Sequence, residues 1–275
     1  PAGPGVTSSA APAAPGRRGG PLAAGRSLQL DLFRGVAAVL MIVNHSGYQL
    51  LRAGAAAGGW PAWLVFVGSA APALFFFATG VGSGFGGAGS EAPASVARKI
   101  VLLLLADLLL NWSTGTWLGL DFFGFAAVAT LALYLVKRTP RPALAAVIVL
   151  AAVLAARFGL APFARGRIAE DSVLAFVTGI APVRHVSYPL GPWLAFPLLV
   201  FLLGRRWRQV DSHAETVVVA PAALLLLAAA ALLAWRGAVV FRWGSVSIAW
   251  FLCALGIVAA AWLVTRRVAR ARPAL

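Results

Sequence analysis

An imidazole and a guanidinium lie eleven positions apart in a stretch apolar enough to cross a bilayer. In LQLDLFRGVAAVLMIVNHSGYQLL, residues 28–51, the apolar background carries Asp31, Arg34, Asn44, His45 and Gln49. An ionisable group is costly to keep inside a membrane span, so it marks a functional site by default. An imidazole titrates near neutrality and can exchange a proton, whereas a guanidinium stays charged. On a helix, Arg34 and His45 return to within about 20° of each other and stand about 16 Å apart along the axis. Asp31, Ala38, Met41, Tyr48 and Gln49 fall near the same direction. Leu32, Val36, Val39, Val43 and Leu50 fall on the opposite side, which suits lipid. The spacing predicts one helix with a polar stripe and an apolar back.

Two further carboxylates stand out. Asp107 and Asn111 are four apart inside another apolar run, hence on one helix face. A mid-span Asp faces the protein interior or a wet cavity more often than lipid. Asp121 stands at the mouth of the next run. Structural capping or packing competes with function for both. His185 reads as a loop residue and His213, in DSHAE, as solvated.

The elements that must position these groups are membrane helices. Of 275 residues, 61% are hydrophobic and 11% charged, and the mean hydropathy is +0.87. That composition specifies an all-α polytopic membrane protein. The lone Cys253 excludes an internal disulfide. The net charge of +15 sits between apolar runs, where it orients the chain and meets anionic lipid, so nucleic acid is not an expected partner. No Walker loop, metal-binding Cys/His cluster or GxSxG elbow appears.

About eight transmembrane helices are expected within a domain over 28–266. Residues 1–27, rich in Pro, Ala, Gly and Ser, read as a disordered tail, and 267–275 as a basic one. The tail lacks the apolar core of a signal peptide, so the first span is expected to be retained. The chain opens without Met, and residues are expected before Pro1. The spans fall near 32–51, 61–84, 98–112, 121–136, 143–160, 189–204, 217–235 and 245–264. The second is crowded with Phe and Gly, which serves either close helix packing or close approach of a substrate to the backbone. In the long loop 161–188, SVLAFVTGI is too short to cross and reads as re-entrant or interfacial. An even number of spans puts both termini on one side. Fifteen basic residues fall on that side against seven on the other, which predicts cytoplasmic termini. Arg34 is then near the cytoplasmic end of its helix and His45 nearer the outer side.

RSLQLDLFRGVAAVLMIVNH resembles the opening helix of the heparan-α-glucosaminide N-acetyltransferases and their bacterial relatives, in its LDxxRG start and its Arg-x10-His spacing. APALFFFATGV, RKIVLLLLADLLLNW with LDFFGF, and YPLGPWLAFPLLVFLLGR look similar in order, so the likeness covers about 26–206. The resemblance implies a bacterial plasma-membrane enzyme that passes acetyl or another acyl group from cytoplasmic acyl-CoA to a cell-surface sugar or glycolipid. It implies no metal. Arg34, with Arg98 and Lys99, would hold the donor's phosphate or pantetheine end. His45 would take the proton from the attacking hydroxyl or amine, oriented by Asp107 or Asp121. Asp31 is expected to hold Arg34. Asn44, Asn111 and Trp193, of GPWLAFP, would support the site. Two other classes remain open on the residues alone: a transporter or lipid flippase with His45 and Asp107 as a proton relay, and a non-enzymatic scaffold in which His45 is a structural contact.

Overall fold

The computed structural model describes residues 28–52, 60–85, 91–113, 120–164, 166–207, 212–236 and 246–271. The tail at 1–27 and the last four residues lie outside them. Among the described residues the regular structure is helical, joined by turns and loops such as 166–172 and 179–189, and there is one isolated parallel bridge between Leu120 and Val186. Twelve α-helices follow in order: α1 (Leu28–Arg52), α2 (Trp60–Gly68), α3 (Ala71–Phe85), α4 (Pro93–Ser113), α5 (Phe122–Arg138), α6 (Pro142–Leu154), α7 (Ala161–Ala164), α8 (Val173–Thr178), α9 (Leu190–Trp193), α10 (Ala195–Trp207), α11 (Ser212–Trp235) and α12 (Ile248–Ala271). A π-turn, Ala155–Gly159, prolongs α6.

Four stretches are long and apolar enough to cross a membrane: Leu28–Leu51, Pro142–Gly159, Thr216–Trp235 and Ile248–Ala271. Of the other expected spans among the described residues, α4 is long enough at 21 residues but carries Arg98, Lys99 and Asp107, α5 has 17 residues, and two are broken. The second is split at Ser69–Ala70, where a single helix was expected. Gly68 lies so close to the Asn44 backbone that a Cβ there would meet it at 2.6 Å. The Ser69 hydroxyl donates to the Phe66 carbonyl (2.5 Å) and accepts from Trp250 Nε1 (3.1 Å). Pro72 then starts α3, in whose first turn the missing N–H costs nothing. The sixth span divides likewise into α9 and α10.

The core is aromatic. Phe33, Phe76, Phe125, Trp193, Phe196 and Trp250 are fully buried, supplied by α1, α3, α5, α9, α10 and α12. α3 lies in the middle, packed against α1, α5, α10 and α12. Gly80 permits this: a Cβ would stand 2.3 Å from the Pro197 carbonyl of α10. Gly68 and Gly80 both permit close helix packing, and Gly68 also borders the cavity described below. α11 packs on α12 and leaves Val217, Val218, Leu224 and Leu225 exposed, as suits a peripheral helix facing lipid. Arg157 lies towards the end of the fifth expected span. It is buried in the π-turn, where Nη2 donates to the Val246 carbonyl at 2.7 Å.

Candidate functional site

The buried face of α1 is Leu30, Phe33, Ala37, Asn44 and Gly47. On the helical wheel it is turned roughly 100° from the Arg34–His45 stripe. The stripe is therefore not the centre of the packing face, as the wheel suggested, but one edge of it. Small residues set this geometry, because Gly47 lies against Leu64 and Val65 of α2 at distances a Cβ would close to about 2.9 Å.

At the far end of that edge is a cavity of about 350 Å³. α1 lines it with Met41, Asn44, His45, Tyr48 and Gln49. The α2–α3 break adds Gly68, Ala71 and Pro72, and the far wall is Asp121, Ser187 and Tyr188. The ring of His45 is held by its own helix, with Nδ1 2.8 Å from the Met41 carbonyl. A carbonyl only accepts, so in the neutral ring Nδ1 carries the proton and Nε2 the lone pair. Asn44 is buried and donates from Nδ2 to the Val65 carbonyl at 2.8 Å, which fixes the break against α1.

Asp107 and Asp121 take different parts. Asp121 is the N-cap residue of α5, but its own side chain makes no cap hydrogen bond. Asp107, buried on α4, does that work from the neighbouring helix. Its Oδ1 accepts from the Gly124 N–H at 2.8 Å and its Oδ2 from the Asp121 N–H at 3.3 Å. Asn111 Nδ2 donates to the same carboxylate at 3.1 Å. A carboxylate at a helix N-terminus satisfies orphan donors and complements the macrodipole. Asp107 is thus a cap and does not line the cavity; of the two carboxylates considered for orienting the histidine, Asp121 is the one beside the cavity. The Asp121 carboxyl is left to face the cavity. A hydrogen bond with Ser187 holds it there.

The Ser187–Tyr188 wall was not expected from the sequence. It reaches Asp121 through the bridge: Leu120 N–H donates to the His185 carbonyl (3.1 Å) and Ser187 N–H to the Leu120 carbonyl (3.3 Å). His185 contributes its backbone there. The Tyr188 ring is buried edge-on to Trp193, with centroids 4.8 Å apart, and to Phe76 at 5.6 Å. Burial holds the Tyr188 phenol pKa well above its ordinary value, so its O–H stays intact. The YPLGPW stretch was the available signal, a Tyr entering a span beside a Trp. Trp193 supports the site through that contact.

The cationic candidates are elsewhere. Arg34 is half exposed and pairs with Asp31 at 3.3 Å, as its spacing predicted. Arg98 and Lys99 are exposed near the start of α4, about 12–14 Å along the axis from Asp107. None of the three lines the cavity.

The sequence model of the family described as heparan-alpha-glucosaminide N-acetyltransferase, catalytic, matches residues 26–237. The chain belongs to this family. The match takes in every residue lining the cavity and ends before α12. No curated protein and no solved structure matches the chain. Membership in this family, with helices long and apolar enough to cross a bilayer, makes the chain an integral membrane protein of acyltransferase type.

Proposed function

We propose that the protein transfers an acyl group, in the first instance acetyl, from cytoplasmic acyl-CoA to a hydroxyl or amine of a saccharide or glycolipid on the far side of a bacterial plasma membrane. The observation that carries this reading is the His45 ring, tied back through Nδ1 and set on a polar cavity that it shares with Asp121. Nε2 takes the acceptor's proton as the acceptor oxygen or nitrogen bonds to the acyl carbon. The carbon–sulfur bond breaks, and the thiolate leaves to be protonated. The charge of Asp121 favours the imidazolium that forms. Arg34, Arg98 and Lys99 hold the anionic end of the donor at the opposite end of the helices, and the acyl arm spans the roughly 16 Å to His45. The reading includes eight crossings with cytoplasmic termini, in which α2–α3 and α9–α10 each cross as one broken unit. Helices broken where they line a cavity are tolerated in membranes.

The test is label transfer from radioactive acetyl-CoA into saccharides and lipids, in vesicles carrying the wild type or His45→Ala at matched expression. Loss of about 10²- to 10⁴-fold in the variant, with both proteins equally folded, is the expected result. Equal transfer by both, or none by either with any common acyl-CoA, sinks the reading.

A further inference from the structure

The loop between α6 and α9 carries a short helix whose two faces are inverted. α8 is six residues long. Its inward side chains are Ala175 and Thr178, 0% and 2% exposed. Its outward ones are Val173, Leu174 and Val177, of which Val173 is 79% exposed. A helix facing water turns its large apolar residues inward and polar ones outward. α8 does the opposite, which suits apolar surroundings. The helix is also firmly built. Ser172 Oγ accepts from the Ala175 N–H at 3.0 Å, and Thr178 Oγ1 donates to the Leu174 carbonyl at 2.7 Å. Gly179 ends it at φ 65°, so close to the Gly191 carbonyl that a Cβ has no room.

The apolar face continues the bare side of a membrane-long helix. Leu144, Val147 and Ile148 are exposed within the stretch Pro142–Gly159. Just beyond it Leu160 and Phe163 are exposed as well, Phe163 by 74%. α9 packs against both the π-turn and α8 and so joins the two. Charge sets the depth. Asp171 accepts from the Arg184 N–H, and its Oδ2 is 3.7 Å from Arg184 Nη2. Both side chains are open to the surroundings, which is costly in hydrocarbon but not among headgroups. Asp171 is two residues before Val173, a reach of at most about 7 Å. The headgroup layer on each side of a bilayer is about 5–8 Å deep. Charged and apolar groups this close together fit that layer better than bulk water or the bilayer centre.

We infer that α8 and Phe163 form an interfacial foot, with Val173, Leu174 and Val177 seated at the headgroup–acyl boundary of the leaflet at the cavity's end of α1. The partner is a lipid surface. Loop 161–188 has three Arg against two acidic residues, so apolar burial is the main attraction and neutral lipid suffices. The stretch that reads from the sequence as re-entrant or interfacial is therefore interfacial. Arg184 precedes Ser187 by three residues, and the Val186 bridge docks the same segment on Leu120. The foot thus anchors one wall of the cavity to the bilayer.

The experiment measures depth. Single cysteines replace Leu174, Val177, Phe163 and, as a control, Glu170, each in a Cys253→Ala background. All four positions are exposed. The proteins are spin-labelled, reconstituted into phosphatidylcholine vesicles and read by power saturation with oxygen and with a nickel chelate. The oxygen-to-nickel accessibility ratio is expected to be at least about threefold higher at Leu174, Val177 and Phe163 than at Glu170, because a polar chelate is excluded from hydrocarbon. The three labels should lie about 5–10 Å below the headgroups. Equal ratios at all four positions place α8 in water and overturn the inference. A depth near the bilayer centre overturns it in favour of a re-entrant segment. Protection from both reagents overturns it in favour of cover by a second copy or by another part of the chain. The wild type supplies a check that needs no variant. In vesicles carrying a lipid with a photoactivatable group at the top of its acyl chain, adducts are expected within 173–178, and their absence overturns the inference as well.

Discussion

At the residue scale, the two carboxylates that meet at the start of α5 do different work. Asp121 makes no cap hydrogen bond and faces the cavity. Asp121→Asn keeps the shape and removes no cap, so it is expected to lower the melting temperature less than the loss of Asp107 does. Thermal denaturation of both variants in detergent checks the order, and an Asp121→Asn protein that is the less stable of the two contradicts it. Asp107→Ala instead strips two N–H groups of their acceptor and is expected to cost about 1–3 kcal/mol, measured by denaturation in detergent. From the sequence, Asp107 was a carboxylate inside one span and Asp121 one at the mouth of the next. Which one caps depends on the α4–α5 packing, and spacing along one chain does not encode that.

At the element scale, the close approaches are as informative as the contacts. Gly124 admits the Asp107 carboxylate, since a Cβ would stand 2.7 Å from Oδ2. Gly124→Ala is therefore expected to push the cap away from α5 and lower stability by about 1–3 kcal/mol, although Ala is intrinsically the better helix former. Thermal unfolding reads the sign directly, and a more stable variant would mean the cap is dispensable. The existence of the helices was largely legible, because long apolar runs need only composition. Their breaks were not. Ser69 and Pro72 sit in an apolar run that reads as continuous, and the break is fixed by Asn44 from one side and Trp250 from the other. The stripe on α1 was legible as a set of residues. Its orientation was not, because the packing face follows Gly47 and Ala37, small residues that carry little weight on a wheel.

At the scale of the whole molecule, the last helix closes what the family match outlines. Trp262 of α12 packs against Phe33 and Phe77, with centroids 5.9 and 5.5 Å apart, and Gln29 Nε2 donates to its carbonyl at 3.4 Å. Trp250 contacts Trp193 at 5.0 Å and holds Ser69. Trp262→Ala leaves a cavity beside α1 and is expected to cost about 3 kcal/mol, a loss visible as a lower melting temperature in detergent. If stability is unchanged, α12 is an accessory to the bundle and not part of its core.

The bridge between Leu120 and Val186 has a consequence in time as well as in space. One wall of the cavity comes from the first helix, another from the start of α5, and the last from a segment made long afterwards. While the chain is being synthesised, His45 and Asp121 are already in the membrane before Ser187 and Tyr188 exist. The nascent protein therefore has a histidine and a carboxyl but no enclosed site. A chain released before Tyr188 lacks that wall, and the cavity is completed when the late segment docks on Leu120.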